Sequence, residues 1–185
     1  MGREESGEVL SREPLIFRPS LLLSLPNAYD GLFSHFFNRS CLGCGTVPSR
    51  AFICLLCSQL VCVGDCCKIT QSDMDQEDHI SNEVDRHVQQ YEHGVAPFLV
   101  LNSSLIVIVK KGRGLIWGTV YLDVHGEEDR MLKRGKPLYL SEQRWEALQR
   151  DWVEKDFTRA SSPWIDIERF YQYLRDPSIY EYRYI

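Results

Sequence analysis

One short stretch of the sequence constrains the fold more than any other feature. It runs from Cys41 to Cys67 and holds all 7 cysteines of this 185-residue chain. Two of its motifs are CxxC pairs, and the full set is Cys41, Cys44, Cys54, Cys57, Cys62, Cys66 and Cys67. Two residues between paired cysteines let the backbone fold around one tetrahedral ion, which both thiolates then bind. The spacing therefore predicts one or two zinc ions held in this segment.

Composition and charge exclude several other interpretations. An odd number of cysteines and an N-terminal region without a long apolar run argue against a secreted disulfide framework. The run Leu21–Leu23 is interrupted by Ser24 and Pro26, so it is too short to span a membrane. A net charge of −5 disfavours nucleic acid, since non-specific binding to phosphate uses clustered Lys and Arg. We expect a cytoplasmic or nuclear protein with neither a membrane nor a nucleic acid as its partner.

Apolar periodicity predicts helices on both sides of the cysteine segment. A first helix is expected after Pro26, a second after Ser141 as its N-cap, and a third after Pro163. Their apolar positions recur three or four residues apart. They are Tyr29, Leu32, Phe33 and Phe36 in the first, Trp145, Leu148 and Trp152 in the second, and Ile167, Phe170, Tyr171 and Leu174 in the third.

Short β-prone runs predict an antiparallel sheet. Strands are expected near 51–53 and 60–61, with Cys54–Cys57 in the turn between them. A hairpin is expected from 98–101 and 105–109, followed by a third strand at 115–122. The hairpin runs are continuously apolar, which indicates that both faces of the sheet are covered. The fold class predicted is α+β: a cysteine-rich zinc module with a small antiparallel β-sheet and flanking helices.

Residues 123–135 concentrate acidic side chains. Such a cluster could serve acid/base chemistry or bind a divalent ion. A short helix with acids in its first turn, bases near its end and Gly135 closing it explains the same charges without catalysis. We therefore predict a helix here and no catalytic residues.

The motif order resembles that of a known family. The motifs are Cys54-Leu55-Leu56-Cys57 leading to Cys62, then Cys66-Cys67, Phe98-Leu99, the segment YLDVHGEEDRMLKRGKPLYL at 121–140 and the helix SEQRWEALQRDW after it. Together they resemble the C-terminal region of the UBR-type N-recognins, the large RING ubiquitin ligases of the N-degron pathway. The resemblance covers residues 20–157, so 1–19 is expected to be a flexible segment and 158–185 an unassigned helical and aromatic tail.

The resemblance implies a function and partners. It implies a zinc-binding structural and regulatory module of an E3 ubiquitin ligase. The family's RING and UBR box are missing from this sequence, so the chain alone is not expected to transfer ubiquitin. The implied partners are the other domains of such a ligase, with ubiquitin or a ubiquitin-conjugating enzyme as further candidates. An independent zinc-finger module that binds ubiquitin or another protein is the alternative.

Two partitions of the metal ligands remain open. The cysteine order is similar to that of UBP-type zinc fingers, which implies one site of Cys41, Cys44, Cys62 and either Cys66 or Cys67, and a second built on Cys54, Cys57 and His87. Spacing alone also allows a zinc ribbon of the two CxxC pairs around one ion. Family members tend to have cysteines flanking the histidine that matches His87. In this chain those flanking positions are Val84 and Tyr91, so we expect one metal site to be altered, lost or completed by His79 or His93.

Overall fold

A six-stranded antiparallel sheet forms the centre of the fold. The computed structural model describes residues 21–48, 50–63 and 83–175. The strands of this sheet lie in the order β2-β1-β3-β4-β5-β8, and a separate pair, β6 and β7, forms a second small sheet. Their bounds are β1 Ala51–Cys54, β2 Leu60–Cys62, β3 Val95–Val100, β4 Leu105–Lys110, β5 Arg113–Thr119, β6 Tyr121–Leu122, β7 Tyr139–Leu140 and β8 Ile165–Asp166.

In the described part of the chain, four α-helices and one 3₁₀ turn accompany the strands. The helices are α1 Tyr29–Phe36, α2 Glu83–Gln89, α3 Glu142–Glu154 and α4 Ile167–Arg175, and the 3₁₀ turn is Glu92–Gly94. The predicted helices after Pro26, Ser141 and Pro163 are confirmed. The two short strands around the Cys54–Cys57 turn and the hairpin of β3 and β4 are also confirmed. β3 begins at Val95, earlier than the predicted start at residue 98. No helix in the described part of the chain is both long and apolar enough to cross a bilayer.

Helices cover both faces of the sheet, as the continuous apolar runs indicated. Successive side chains of a strand point to opposite faces, so Ile106 and Ile108 of β4 face one core while Leu105 and Val107 face another. On the first face the sheet packs against Tyr29 and Leu32 of α1 and Leu148 and Trp152 of α3. On the second face it packs against Val84 and Val88 of α2 and Phe170 and Tyr171 of α4. The α+β class is confirmed, and the sheet is larger than the small one that was predicted.

The third strand ends earlier than predicted. β5 stops at Thr119, and Tyr121 pairs with Leu140 in the second sheet. The register of β4 against β5 shifts between Ile106 and Val107, where Gly118 has a φ of 141°. A conformation of this kind favours glycine, and a bulge bends the strand that contains it. The bend explains why one apolar run supplies two sheets.

The helix predicted for residues 123–135 is wrong. This segment is a loop, and two aspartates organise it. Oδ1 of Asp123 accepts hydrogen bonds from the backbone N–H groups of His125 and Glu127, each at 2.9 Å. The carboxylate of Asp129 accepts from the N–H groups of Lys133 at 2.9 Å and Arg134 at 2.7 Å. Aspartate side chains that bond to nearby backbone compete with helix formation, which explains the difference.

Candidate metal centres

The first thiol group lies where the turn after α1 meets the end of β2. Cys41, Cys44 and Cys62 place their sulfurs within 4.8 Å of one another, and Cys44 Sγ lies 3.7 Å from Cys62 Sγ. The CxxC turn is closed by Gly45 N–H donating to the carbonyl oxygen of Cys41 at 2.8 Å. The N–H of Gly43 donates to Cys41 Sγ at 3.3 Å. This knuckle directs both of its sulfurs toward the same point.

A carboxylate from α2 also contacts this group. Oε2 of Glu83 lies 2.8 Å from Cys41 Sγ and 3.4 Å from Cys62 Sγ. Glu83 is buried, and a Cβ on Gly43 would come within 2.7 Å of its Oε1. A side chain at position 43 would therefore have to displace this carboxylate. Sequence reasoning missed Glu83. Its signal was its position four residues before His87, since residues i and i+4 share one face of a helix.

The second thiol group joins the β1–β2 turn to α2. Cys54, Cys57 and His87 place their donor atoms within 4.8 Å of one another, and Cys57 Sγ lies 3.6 Å from His87 Nε2. The turn is again a knuckle, with Leu56 N–H donating to Cys54 Sγ at 3.4 Å. The two CxxC pairs thus lie in different groups, as in the UBP-like partition and not as in a zinc ribbon.

A tyrosine hydroxyl completes the surroundings of the second group. Oη of Tyr91 lies 3.3 Å from Cys54 Sγ and 3.3 Å from His87 Nε2. Val84, at the other position flanking the histidine, is instead fully buried in the core on the second face. Sequence reasoning noted Tyr91 only as a departure from the family's cysteine.

Burial sets the protonation of the second group when no cation is bound. It raises the pKa of the Cys54 thiol to about 11, and it lowers the pKa of His87. The imidazole is therefore neutral, which is the form that binds metals, while the thiol is protonated. Binding of a cation by Cys54 must release a proton.

The distances in both groups fit a tetrahedral zinc ion. With Zn–S of about 2.3 Å and Zn–N of about 2.0 Å, two sulfurs lie about 3.8 Å apart, and a sulfur and a nitrogen lie about 3.5 Å apart. The corresponding separations here are 3.7 Å and 3.6 Å. Thiolate and imidazole are also the ligands that zinc prefers. When bound, the ion would neutralise the thiolates and cross-link the chain segments that carry them.

Of the remaining residues predicted as ligands, only His93 lies in the described part of the chain. Cys66, Cys67 and His79 lie outside the described residues. His93 is exposed in the 3₁₀ turn, with a φ of 69°, and belongs to neither group.

The acidic side chains of 123–135 are used in structure. Besides their backbone partners, Asp123 lies 3.4 Å from Lys136 Nζ, Glu127 pairs with Arg134, and Glu128 pairs with Arg144. These ion pairs account for the charges without a divalent cation or acid/base chemistry.

One cavity among the described residues is separate from both groups. Its volume is about 630 Å³, and it lies between the second face of the sheet and α4, with Phe52, Val100, Ile116, Tyr171 and Leu174 in its apolar lining. None of the donor residues named above lines it.

Comparison with known proteins assigns the chain to a family. A sequence model described as Proteolysis_6 C-terminal matches residues 2–154. The E3 ubiquitin-protein ligase ubr3 of Danio rerio is 38% identical over 162 residues, which is 87% of this chain and 8% of that protein. UBR2 of Homo sapiens is 32% identical over 139 residues, covering 74% of this chain and 8% of its own length. PRT6 of Arabidopsis thaliana is 33% identical over 130 residues, covering 70% of this chain and 6% of its own length.

The chain belongs to the Proteolysis_6 C-terminal family. The resemblance to the C-terminal region of UBR-type N-recognins is thus confirmed. The chain spans about 8% of the length of ubr3 and UBR2. The Proteolysis_6 C-terminal match contains both thiol groups and continues to the last residue of α3, whereas β8 and α4 follow it.

Proposed function

We propose that this chain is a zinc-binding structural and regulatory module of a UBR-type E3 ubiquitin ligase acting in the N-degron pathway. The observation that supports the proposal best is the pair of thiol groups, because each connects the β1–β2 hairpin to a different part of the chain. Structural zinc sites are built from cysteine and histidine ligands, which are the residue types found in both groups. The module shapes the ligase and does not itself transfer ubiquitin.

The helix α2 explains why a metal would be needed. It has only seven residues, and isolated helices shorter than about 12 residues are marginal in water. Glu83 contacts the first thiol group and His87 belongs to the second. A cation in the second group would fix α2 on the hairpin, and the binding free energy of the metal would become folding free energy.

Metal quantification on the purified full chain tests the proposal. We expect two equivalents of zinc, with one lost in Cys41→Ser and a different one lost in Cys54→Ser. His87→Ala should lose the second equivalent, and the matched control His93→Ala should lose none because His93 is exposed and belongs to neither group. A folded, metal-free protein, or one in which the cysteines are oxidised to disulfides, would contradict the proposal.

Exposed apolar side chains support the rest of the ligase as the partner. Among the described residues, five of the eight exposed large apolar side chains lie between positions 21 and 47: Leu21, Leu23, Phe37, Leu42 and Val47. Exposed apolar surface marks interaction sites when it is contiguous, and we infer that this segment forms such a surface. A UBR-type ligase from which the region matching this chain has been removed should bind the chain when it is added separately. Leu42→Ser, at a residue 80% exposed, should weaken the complex, and Val124→Ser, at a residue 72% exposed in the β6–β7 loop, should not.

An independent ubiquitin-binding finger is the second candidate. The separation of the thiols into two groups is the observation that favours it, since that partition is the one implied by the UBP-type likeness. It predicts chemical-shift changes when ubiquitin is added to the labelled chain, and their loss when a chelator is present. A flat titration would exclude it and leave the ligase module.

A further inference from the structure

The second thiol group has three recognised donors, although a closed zinc site takes four. Among the described residues, no further Cys, His, Asp or Glu joins Cys54, Cys57 and His87. The atom that fills the remaining side is the phenolic oxygen of Tyr91. It lies 3.3 Å from Cys54 Sγ and 3.3 Å from His87 Nε2.

These separations match those of an oxygen ligand. With a Zn–O distance of about 2.0 Å, a tetrahedral ion places the oxygen about 3.3 Å from a nitrogen ligand and about 3.5 Å from a sulfur ligand. The 3.3 Å to His87 Nε2 equals the expected value, and the 3.3 Å to Cys54 Sγ is about 0.2 Å shorter than expected. The 3.6 Å between Cys57 Sγ and His87 Nε2 supplies a third edge of the same tetrahedron.

Local structure holds the tyrosine in this position. Tyr91 is four residues after His87, and its N–H donates to the carbonyl oxygen of Val88 at 3.2 Å, which keeps it close to the end of α2. Its backbone is extended, with a φ of −96° and a ψ of 146°. The ring meets the His87 ring edge-on, with centroids 5.4 Å apart. The hydroxyl therefore converges on the thiol group with the histidine.

We propose that Tyr91 is the fourth ligand of the second metal centre, a site for a divalent d¹⁰ cation with two sulfurs, one nitrogen and one phenolate oxygen. The inference rests on the zinc-binding function proposed above. Binding forms one bond from the cation to each donor. The thiols of Cys54 and Cys57 and the hydroxyl of Tyr91 each release one proton to solvent, while His87 binds as the neutral imidazole. Two thiolates, one phenolate and one divalent ion leave the site with a net charge of −1.

The competing explanation is a hydroxyl that only hydrogen-bonds the Cys54 sulfur. Affinity alone does not distinguish the two, because removing a group that merely bonds to a ligand also costs about 10–100-fold in metal affinity. Spectroscopic signatures do distinguish them. A bound phenolate absorbs as an ionised tyrosine, whereas a hydrogen-bonded phenol does not.

The test uses the full chain loaded with zinc, and with cobalt(II) as a spectroscopic substitute. Zinc should produce the near-ultraviolet difference band of one ionised tyrosine. The band should be absent in Tyr91→Phe and retained in the matched control Tyr139→Phe, since Tyr139 is exposed in β7. In the cobalt protein, Tyr91→Cys should add one sulfur-to-metal charge-transfer contribution, and Tyr91→Phe should leave a position that added azide occupies.

The outcomes separate this inference from the function on which it rests. If Tyr91→Phe binds both metals with unchanged spectra, or if wild-type shows no tyrosine band at two equivalents of zinc, the ligand assignment is overturned and the zinc module stands. If the wild-type chain binds zinc only through the first group, the assignment of Tyr91 as a ligand is likewise overturned and the zinc module stands. A chain that binds no zinc overturns both. If Tyr91→Phe does not fold, the near-ultraviolet band of the zinc-loaded wild-type chain decides the question, because a phenol that only donates a hydrogen bond does not produce it.

Discussion

The contact between Gly114 and Phe170 gives a quantitative test of how far the fold extends beyond the family match. Phe170 of α4 is fully buried, and a Cβ on Gly114 of β5 would lie 2.5 Å from its Cδ1 and 2.6 Å from its Cγ. An atom that close forces the ring to move. Since α4 begins after residue 154, where the family match ends, the contact decides whether this helix belongs to the same folding unit.

The magnitudes follow from packing. Gly114→Ala should lower the free energy of unfolding by about 1–3 kcal/mol through overpacking, and Phe170→Ala should lower it by about 3–5 kcal/mol. In the double variant the space is empty, so the added methyl should be neutral, or stabilising by about 0.5–1 kcal/mol because alanine loses less backbone entropy than glycine. The coupling energy, which is the difference between the two effects of Gly114→Ala, should therefore be about 1–4 kcal/mol.

Urea unfolding followed by tryptophan fluorescence, at a fixed zinc concentration, measures each free energy. The control is Gly31→Ala in α1, where a Cβ would meet nothing within 4 Å. It should be stabilising by up to about 1 kcal/mol. If Gly114→Ala costs the same whether residue 170 is Phe or Ala, then α4 does not pack on β5 as described here.

Two further predictions concern metal and pH. Removing zinc with a chelator should increase amide hydrogen exchange in α2 and in the Cys54–Cys57 turn. β4 should stay protected because it is paired with a strand on each side. Equal exchange in all of these elements would contradict a local role for zinc. The backbone N–H groups of Glu127 and His125 hold the pKa of Asp123 below its usual value of about 3.9. The ionised Asp123 therefore stabilises the fold fully above about pH 3.9, and this stabilisation is lost as the pH falls through the lower pKa of the folded state. Asp123→Asn should therefore lose less stability than wild-type below about pH 4, whereas the exposed Glu146→Gln should follow wild-type.

Local signals were sufficient for the elements whose neighbours in sequence determine them. Ser141 caps α3 by accepting from Arg144 N–H at 3.5 Å, and the run Leu105–Val109 is buried on both faces. These features depend on capping and side-chain alternation over a few residues. The loop at 123–135 was not predictable in the same way. Its charge distribution is that of a helix, but the carboxylates of Asp123 and Asp129 bond to the backbone instead.

The candidate site was predictable in its residue types and only in part in its geometry. CxxC spacing identifies thiols that can share an ion, but it does not show which distant side chains approach them. Glu83 and Tyr91 reach the two thiol groups because α2 packs against the β1–β2 hairpin, a contact between segments distant in sequence. Their oxygens carry no motif of their own, so only the packed structure brings them to the sulfurs.

The placement of both groups along one hairpin has a mechanical consequence. β2 is a three-residue strand at the edge of the sheet, and exposed edges invite pairing with other chains. Cys62 marks one end of this hairpin, and the turn with Cys57 forms the other. α2 meets the first group through Glu83 and the second through His87, about 6 Å apart along the helix axis. Loss of metal from either group would loosen the same helix, so emptying one site should lower the zinc affinity of the other, although the second ion should stay bound at saturating zinc.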